Sequence, residues 1–95
     1  MIIAQLSIAP VGKDIHLSDY VKIVLNILKK ERITFQTNAM ATVIETEDIE
    51  TLLRIVQKAH NAVLQTGVKR VITELKIDHR TDKNATIASK LSSLK

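Results

Sequence analysis

The sequence predicts an α+β fold: a four-stranded antiparallel sheet with two helices packed on one of its faces. Three observations carry this. Four stretches alternate apolar and polar residues with a period of two. Two stretches between them place apolar residues at helical spacing. Their order is strand, helix, strand, strand, helix, strand, followed by a tail. Two β-α-β crossovers around a central hairpin close such a chain into a sheet of order 4-1-3-2, the ferredoxin-like arrangement βαββαβ. One domain over residues 1–95 is the expectation at this length.

The first strand is "IIAQLSIAP". Ile2, Ala4, Leu6 and Ile8 point one way, and Ile3, Gln5, Ser7 and Ala9 the other. The second set is almost uncharged, so the strand belongs in the middle of the sheet. "LSDYVKIVLNILKKER" reads as the first helix, with Ser18 as N-cap and Asp19 at the positive end of the dipole. Tyr20, Val24, Ile27 and Leu28 form its apolar stripe, widened by Val21 and Leu25. "ITFQTNAMATVIETE" holds two strands joined by a turn at Asn38 to Ala41, where asparagine tolerates a left-handed backbone. The second helix starts at an Asp48 cap, buries Ile49, Leu52, Leu53, Val56, Ala59 and Val63, and ends before Gly67. The fourth strand, "RVITELKIDHR", is the most regular of all. Val71, Thr73, Leu75 and Ile77 face the helices. Ile72, Glu74, Lys76 and Asp78 face away. In the tail, residues 83–95, Ile87, Leu91 and Leu94 allow a short helix capped by Asp82 or Asn84, although its serines weaken that reading.

Composition narrows the chemistry. Cysteine is absent, which excludes disulfides, thiolate metal sites and cysteine nucleophiles. The 14 basic residues exceed the 10 acidic ones by only four and are dispersed, so there is no nucleic-acid stripe. No stretch approaches the apolar length of a membrane span. The N-terminus lacks the basic segment of a secretory signal, so a cytoplasmic location is expected. The only aromatics are Tyr20 and Phe35. Neither falls on a central strand, so the sheet has no base-stacking platform and RNA binding is not expected.

Catalysis finds little support. His16, His60 and His79 are scattered, without the spacing of a zinc site. His60 borders the buried stripe of its helix and reads as a hydrogen-bonded histidine at the edge of a core. Glu74 and Asp78 lie about 13 Å apart along one strand, too far to share a proton. No metal, cofactor or catalytic residue is therefore expected. What remains is the sheet face turned away from the helices. Ile3, Ile72 and either Val43 or Ile44 share it with Gln5, Ser7, Glu74, Lys76 and Asp78. A face this mixed suits a wet interface or a ligand groove better than bulk water.

Several blocks of this sequence resemble the small thiamine-binding, YkoF-like proteins. They are the opening "IAQLSIAPVG", then "MATVIET", and above all "KAHNAVLQTGVKRVITELKIDHRTDK". The similarity spans residues 2 to 84. Its most specific part reads G-x-x-R-V-x-T-x-x-K-I-D-x-R-x-D, on Gly67, Arg70, Val71, Thr73, Lys76, Ile77, Asp78, Arg80 and Asp82. The resemblance implies a ferredoxin-like subunit and dimers extended through sheet edges. It further implies a homo-oligomer, a tetramer built as a dimer of dimers by face-to-face sheets. It also implies a small-molecule ligand, thiamine or its hydroxymethylpyrimidine portion, bound without a reaction. The chain departs from the family's G-P-M-G-T hairpin, reading Asn38, Ala39, Met40, Ala41, Thr42.

Such a ligand sets chemical requirements. Its aminopyrimidine needs a hydrogen-bond acceptor for the 4-amino group and partners for the ring nitrogens, which Gln5, Ser7, Asn38 and Thr42 can supply. The thiazolium cation needs a carboxylate, Glu74 or Glu45. Lys76 suits an anion or holds a carboxylate in place, and Met40 can pack on the pyrimidine. The expected function is thus non-catalytic binding of thiamine or a hydroxymethylpyrimidine-type precursor at a subunit interface. The alternative is a regulatory or scaffold oligomerisation module without a vitamin, in which Glu74, Lys76 and Asp78 make inter-subunit ion pairs.

Overall fold

The computed structural model describes residues 1–12 and 15–94. It contains β1 (Ile2–Pro10), α1 (Leu17–Lys30), β2 (Thr34–Thr37), β3 (Thr42–Thr46), α2 (Ile49–Leu64), β4 (Val71–His79) and α3 (Ile87–Ser92). Lys95, the last residue of the expected tail helix, lies outside the described residues. The sheet runs β2-β3-β1-β4, every pair antiparallel, as the alternation predicts.

The helix-facing side of β1 explains the core. Ile2, Ala4, Leu6 and Ile8 are all buried, with Ile44 of β3 beside Ala4. Val43, the residue after Thr42 and before Ile44, therefore faces the reverse side. Over this layer lie Val24 and Leu28 of α1 and Leu52, Ile55, Ala59 and Val63 of α2. The α2 stripe is rotated from the expected one: Ile55 is fully buried and Leu53 is half exposed. Residues 52, 55, 59 and 63 follow the 3-4-4 spacing of one helix face, and Leu53 falls on the flank. Phe35 packs on the helix side opposite Ile44. On β4, an edge strand, Val71, Thr73 and Leu75 are partly covered, but Ile77, expected in the same buried row, is exposed.

Helix ends follow local chemistry. Asp48 caps α2 as expected, its Oδ1 accepting from Thr51 N–H at 2.7 Å. Helix α1 instead begins at Leu17, with His16 at the cap position and no side-chain hydrogen bond there, so Ser18 is not the cap. The earlier start puts Leu17 in line with Val21 and Val24, one and two turns on, and extends the apolar stripe. At its other end, Arg32 adopts φ 56°. Ile33 N–H donates to Leu28 O at 3.0 Å and Arg32 N–H to Lys29 O at 3.1 Å, the paired bonds of a Schellman stop. Gly67, at φ 101°, turns the chain after α2 into β4.

The tail is helical, and it folds back onto the reverse face of the sheet. Thr86 caps α3 through Ser89 N–H at 3.0 Å, and the Ser89 hydroxyl accepts from Thr86 N–H at 2.9 Å. Neither expected cap is used. Asp82 is held instead by Arg80, at 2.9 Å from Nε and 2.5 Å from Nη2. Two links tie α3 to the sheet. Ile87 N–H donates to Glu45 Oε1 at 2.7 Å, and Lys90 Nζ donates to Asp78 Oδ2 at 2.6 Å. Ile87 and Leu91 face Ile3 and Val43 across a cavity of about 250 Å³. The reverse face is thus covered at the Ile3 end and bare at the Ser7 end.

Candidate functional site

The hairpin between β2 and β3 organises the candidate site. It turns without glycine because none of its residues takes a positive φ, and the Asn38 side chain ties the turn by accepting hydrogen bonds. Asn38 Oδ1 accepts from Met40 N–H at 2.8 Å and from Ala41 N–H at 3.0 Å, and Asn38 N–H donates to Ala41 O at 3.0 Å. This is a side-chain-capped turn. Asn38 itself is not left-handed; Arg32 is the only non-glycine residue with positive φ among those described.

Beside this hairpin the sheet has a notch. The β1–β3 ladder stops at Leu6 opposite Thr42, whereas the β1–β4 ladder continues to Pro10 opposite Val71. From Ser7 onward β1 has a partner on one side only. The notch separates two recesses that share Ser7, Met40 and Ala41 as a rim. On the helix side lies a recess of about 120 Å³ walled by Leu6, Ile8, Leu17, Val21 and Val24. Its polar lining is Ser7, Thr37, Asn38 and Thr42. On the reverse side lies a shallow cavity of about 360 Å³ bordered by Gln5, Ser7, Glu74 and Lys76.

The eight expected ligand residues therefore divide. Gln5, Ser7, Glu74 and Lys76 meet on the reverse face, in register across two strands: Gln5 opposite Lys76 and Ser7 opposite Glu74. Thr42 belongs to the helix-side recess, where it is buried and its Oγ1 lies 2.7 Å from Thr37 Oγ1, and Asn38 lines that recess while also bordering the cavity beneath α3. Met40 protrudes between the two recesses, 87% exposed. Glu45 shares the reverse face but lies at its far end, where its carboxylate is engaged by α3. Sequence reasoning missed Thr37 and the apolar wall supplied by Leu17 and Val21. The signal for Thr37 was available, since it pairs directly with Thr42 in a hairpin closing on Asn38 and Ala41.

The electrostatics separate committed charges from free ones. The hydrogen bond from Lys90 holds the Asp78 carboxyl below its ordinary value, helped by the charges of Lys90, Arg80 and Lys76. Glu31 is lowered by hydrogen bonds from Lys58 and Arg54, which tie the end of α1 to α2. Among the described residues Glu74 and Lys76 make no ion pair, so both remain available to a ligand or a partner. His60 is the core-edge histidine expected, with Nδ1 at 2.6 Å from Thr73 Oγ1. Among the described residues no three His, Asp or Glu side chains cluster in a way that would hold a metal. No helix there is long and apolar enough to cross a membrane.

Fold and site together define a ferredoxin-like α+β domain with recesses on both sides of one glycine-free hairpin. The chain belongs to the family described as thiamine-binding protein, whose model matches residues 4–95. It is 41% identical over 96 residues to a UPF0045 protein of Methanothermobacter thermautotrophicus, covering 100% of this chain and 97% of the relative. It is 42% identical over 93 residues to UPF0045 protein MJ1052 of Methanocaldococcus jannaschii, covering 98% and 91%. The crystal structure of MJ1052 aligns with a TM-score of 0.88 over 98% of this chain and 94% of that one. A Thermotoga maritima structure, provisionally described as a thiamine biosynthesis/salvage protein, aligns with a TM-score of 0.83 at 19% identity, covering 99% and 98%. At that identity the likeness is one of fold. The family's description is that of a binding protein and names no reaction.

Proposed function

We propose that this protein binds thiamine, or the hydroxymethylpyrimidine from which it is built, and does not transform it. The pyrimidine occupies the helix-side recess, between the apolar wall of α1 and the hydroxyls of Thr37 and Thr42. The thiazolium lies across the rim toward Glu74. The observation that carries this reading is the shared rim: Ser7 borders both recesses and stands directly opposite Glu74.

Sizes support the division. Pockets for ligands of drug size span roughly 300–1,000 Å³, so a recess of about 120 Å³ accepts one ring and not two. The wider cavity beyond the rim takes the second ring. Its polar groups meet the charge of a thiazolium. Glu74 supplies the negative charge, Gln5 and Ser7 supply neutral partners, and Lys76 stands two residues from Glu74 on the same face of β4. Catalysis has no support in the lining of the helix-side recess, which presents hydroxyls and an amide but no titratable side chain.

The reverse-face cavity is shallow, and a second copy stacked on the uncovered end of the sheet would enclose it. Ile72, 43% exposed, supplies apolar contact area at that end. In this reading the working form is a homo-oligomer, a tetramer of two sheet-to-sheet pairs, and the ligand is sealed by assembly.

Calorimetric titration with thiamine and with hydroxymethylpyrimidine tests the proposal. Saturation at about 100 times the dissociation constant stabilises a protein by about 2.7 kcal/mol, so a binder also raises the melting temperature measurably. Absence of both heat and thermal shift with either compound would refute the reading. Sedimentation with and without ligand tests the assembly. A protein that binds fully as a monomer would exclude closure by a second copy.

A further inference from the structure

Asn38 has a hydrogen-bonding capacity that is half spent. Its Oδ1 accepts two backbone N–H groups, from Met40 at 2.8 Å and from Ala41 at 3.0 Å. A carboxamide oxygen has two lone pairs, and both are engaged. The orientation of the amide is forced as well, because turning it over would set its NH₂ against two N–H donors. Anything in the adjoining recess that meets this side chain meets Nδ2, which donates and cannot accept.

The rest of the polar lining is adaptable. Thr37 and Thr42 share one hydrogen bond at 2.7 Å, in which either hydroxyl can donate. The pair keeps one free O–H and spare lone pairs, so it can donate or accept as a ligand requires. The recess therefore reads one position strictly, as an acceptor, and its neighbour loosely.

We infer that Asn38 reads the pyrimidine edge and selects a 4-amino ring over its 4-oxo counterpart. The inference rests on the pyrimidine site proposed above. In a 4-aminopyrimidine the ring nitrogen N3 accepts and the exocyclic amino group donates. N3 accepts a hydrogen bond from Asn38 Nδ2–H, and the amino group donates to a threonine oxygen. In the 4-oxo ring N3 carries a proton and the exocyclic oxygen accepts. N3–H then opposes Nδ2–H, and two donors face each other without a partner. The 5-substituent, directed to the Ser7 rim, prevents the ring from turning round to escape the clash. Leaving polar groups unpaired in this way is what lets a hydrogen-bonding site reject a close analogue strongly.

The test titrates wild-type protein and Asn38→Asp with thiamine and with oxythiamine, its 4-oxo analogue. Wild type binds thiamine at least tenfold more tightly. Asn38→Asp keeps one oxygen for the turn and presents a second oxygen in place of the NH₂. The new charge strengthens both ligands alike, since both carry the thiazolium, so the ratio of affinities isolates the edge. That ratio falls at least tenfold or inverts. Equal wild-type affinity for the two compounds overturns the inference while leaving the pyrimidine site standing. An unchanged ratio in Asn38→Asp, with hydrogen exchange at Met40 and Ala41 still protected, also overturns it. Failure of thiamine itself to bind the wild type removes the proposed site and the inference with it.

Discussion

Glu45→Ala should release the C-terminal helix from the sheet while leaving the four strands and two long helices folded. A six-residue helix has no stability of its own in water, so α3 exists because it is docked. Its attachments are few. The Lys90–Asp78 pair is about half exposed on both sides and contributes little. Ile87 is partly buried, and Ala85 fills a small site at the approach to the helix. The strongest attachment is the bond from Ile87 N–H to the half-buried Glu45 carboxylate, 2.7 Å long. Hydrogen bonds to charged groups contribute about 1.5–3 kcal/mol. Taking about 2 kcal/mol, removal of the acceptor raises the undocked fraction about 30-fold. Amide exchange read by mass spectrometry or NMR reports this locally. Lys90 N–H, bonded to Thr86 O at 3.0 Å, should exchange about 30-fold faster, while amides of β1 and α2 stay protected. The melting temperature can fall by about 4–8 °C for each kcal/mol of docking energy that the global transition feels. Glu45→Gln, which keeps an acceptor, should lie between. Unchanged protection of residues 87–92 in Glu45→Ala would refute the claim that this carboxylate holds the helix.

Three further outcomes are expected. Glu74→Gln should weaken thiamine by about threefold to tenfold, around 1 kcal/mol for an exposed charge near a cation, and leave hydroxymethylpyrimidine, which has no thiazolium, unchanged in the same calorimeter. Ile55→Ala should cost about 2–5 kcal/mol and Leu53→Ala well under 1 kcal/mol in urea unfolding, because Ile55 is fully buried and Leu53 is on the flank; equal losses would contradict the observed rotation of α2. Asp78 has a folded-state value lowered by Lys90, so its contribution is complete above the ordinary aspartate pKa of about 3.9 and is lost as pH falls below it. Protection of α3 amides, taken relative to the intrinsic exchange rate at each pH, should fall in that acidic window, and Asp78→Asn should remove that share of the pH dependence.

Much of the fold was legible because period-two and helical patterns report burial directly, and the burial here is regular. The order of the sheet, the face each strand presents and the Asp48 cap all follow from that. Where reading failed, local and tertiary preferences competed. Ser18 is the better capping residue, but a start at Leu17 adds an apolar residue to the stripe. Asp82 is a good cap by type, but Arg80 two residues away claims its carboxylate, and Thr86 takes the role through a serine partner. Leu53 and Ile55 are equally hydrophobic, and only the position of the sheet decides between them. For the site, the pattern of β4 brought Glu74 and Lys76 together with Gln5 and Ser7. It could not separate Thr42 from them, because which face of β3 meets the helices depends on a register one residue either way. Nor could it reveal that the tail would claim Glu45, since that contact spans 42 residues of sequence.

The long ladder between β1 and β4 joins segments roughly 60–80 residues apart in the chain. A ribosome adding about 5–20 residues per second delivers the partner some 3–15 s after β1 has been made. Until then the apolar strand "IIAQLSIAP" stays without its main neighbour, and the β2–β3 hairpin supplies the only pairing within reach. Newborn molecules therefore pass through a sticky interval, and chaperone demand during synthesis should track the delay to β4 more than the stability of the finished fold.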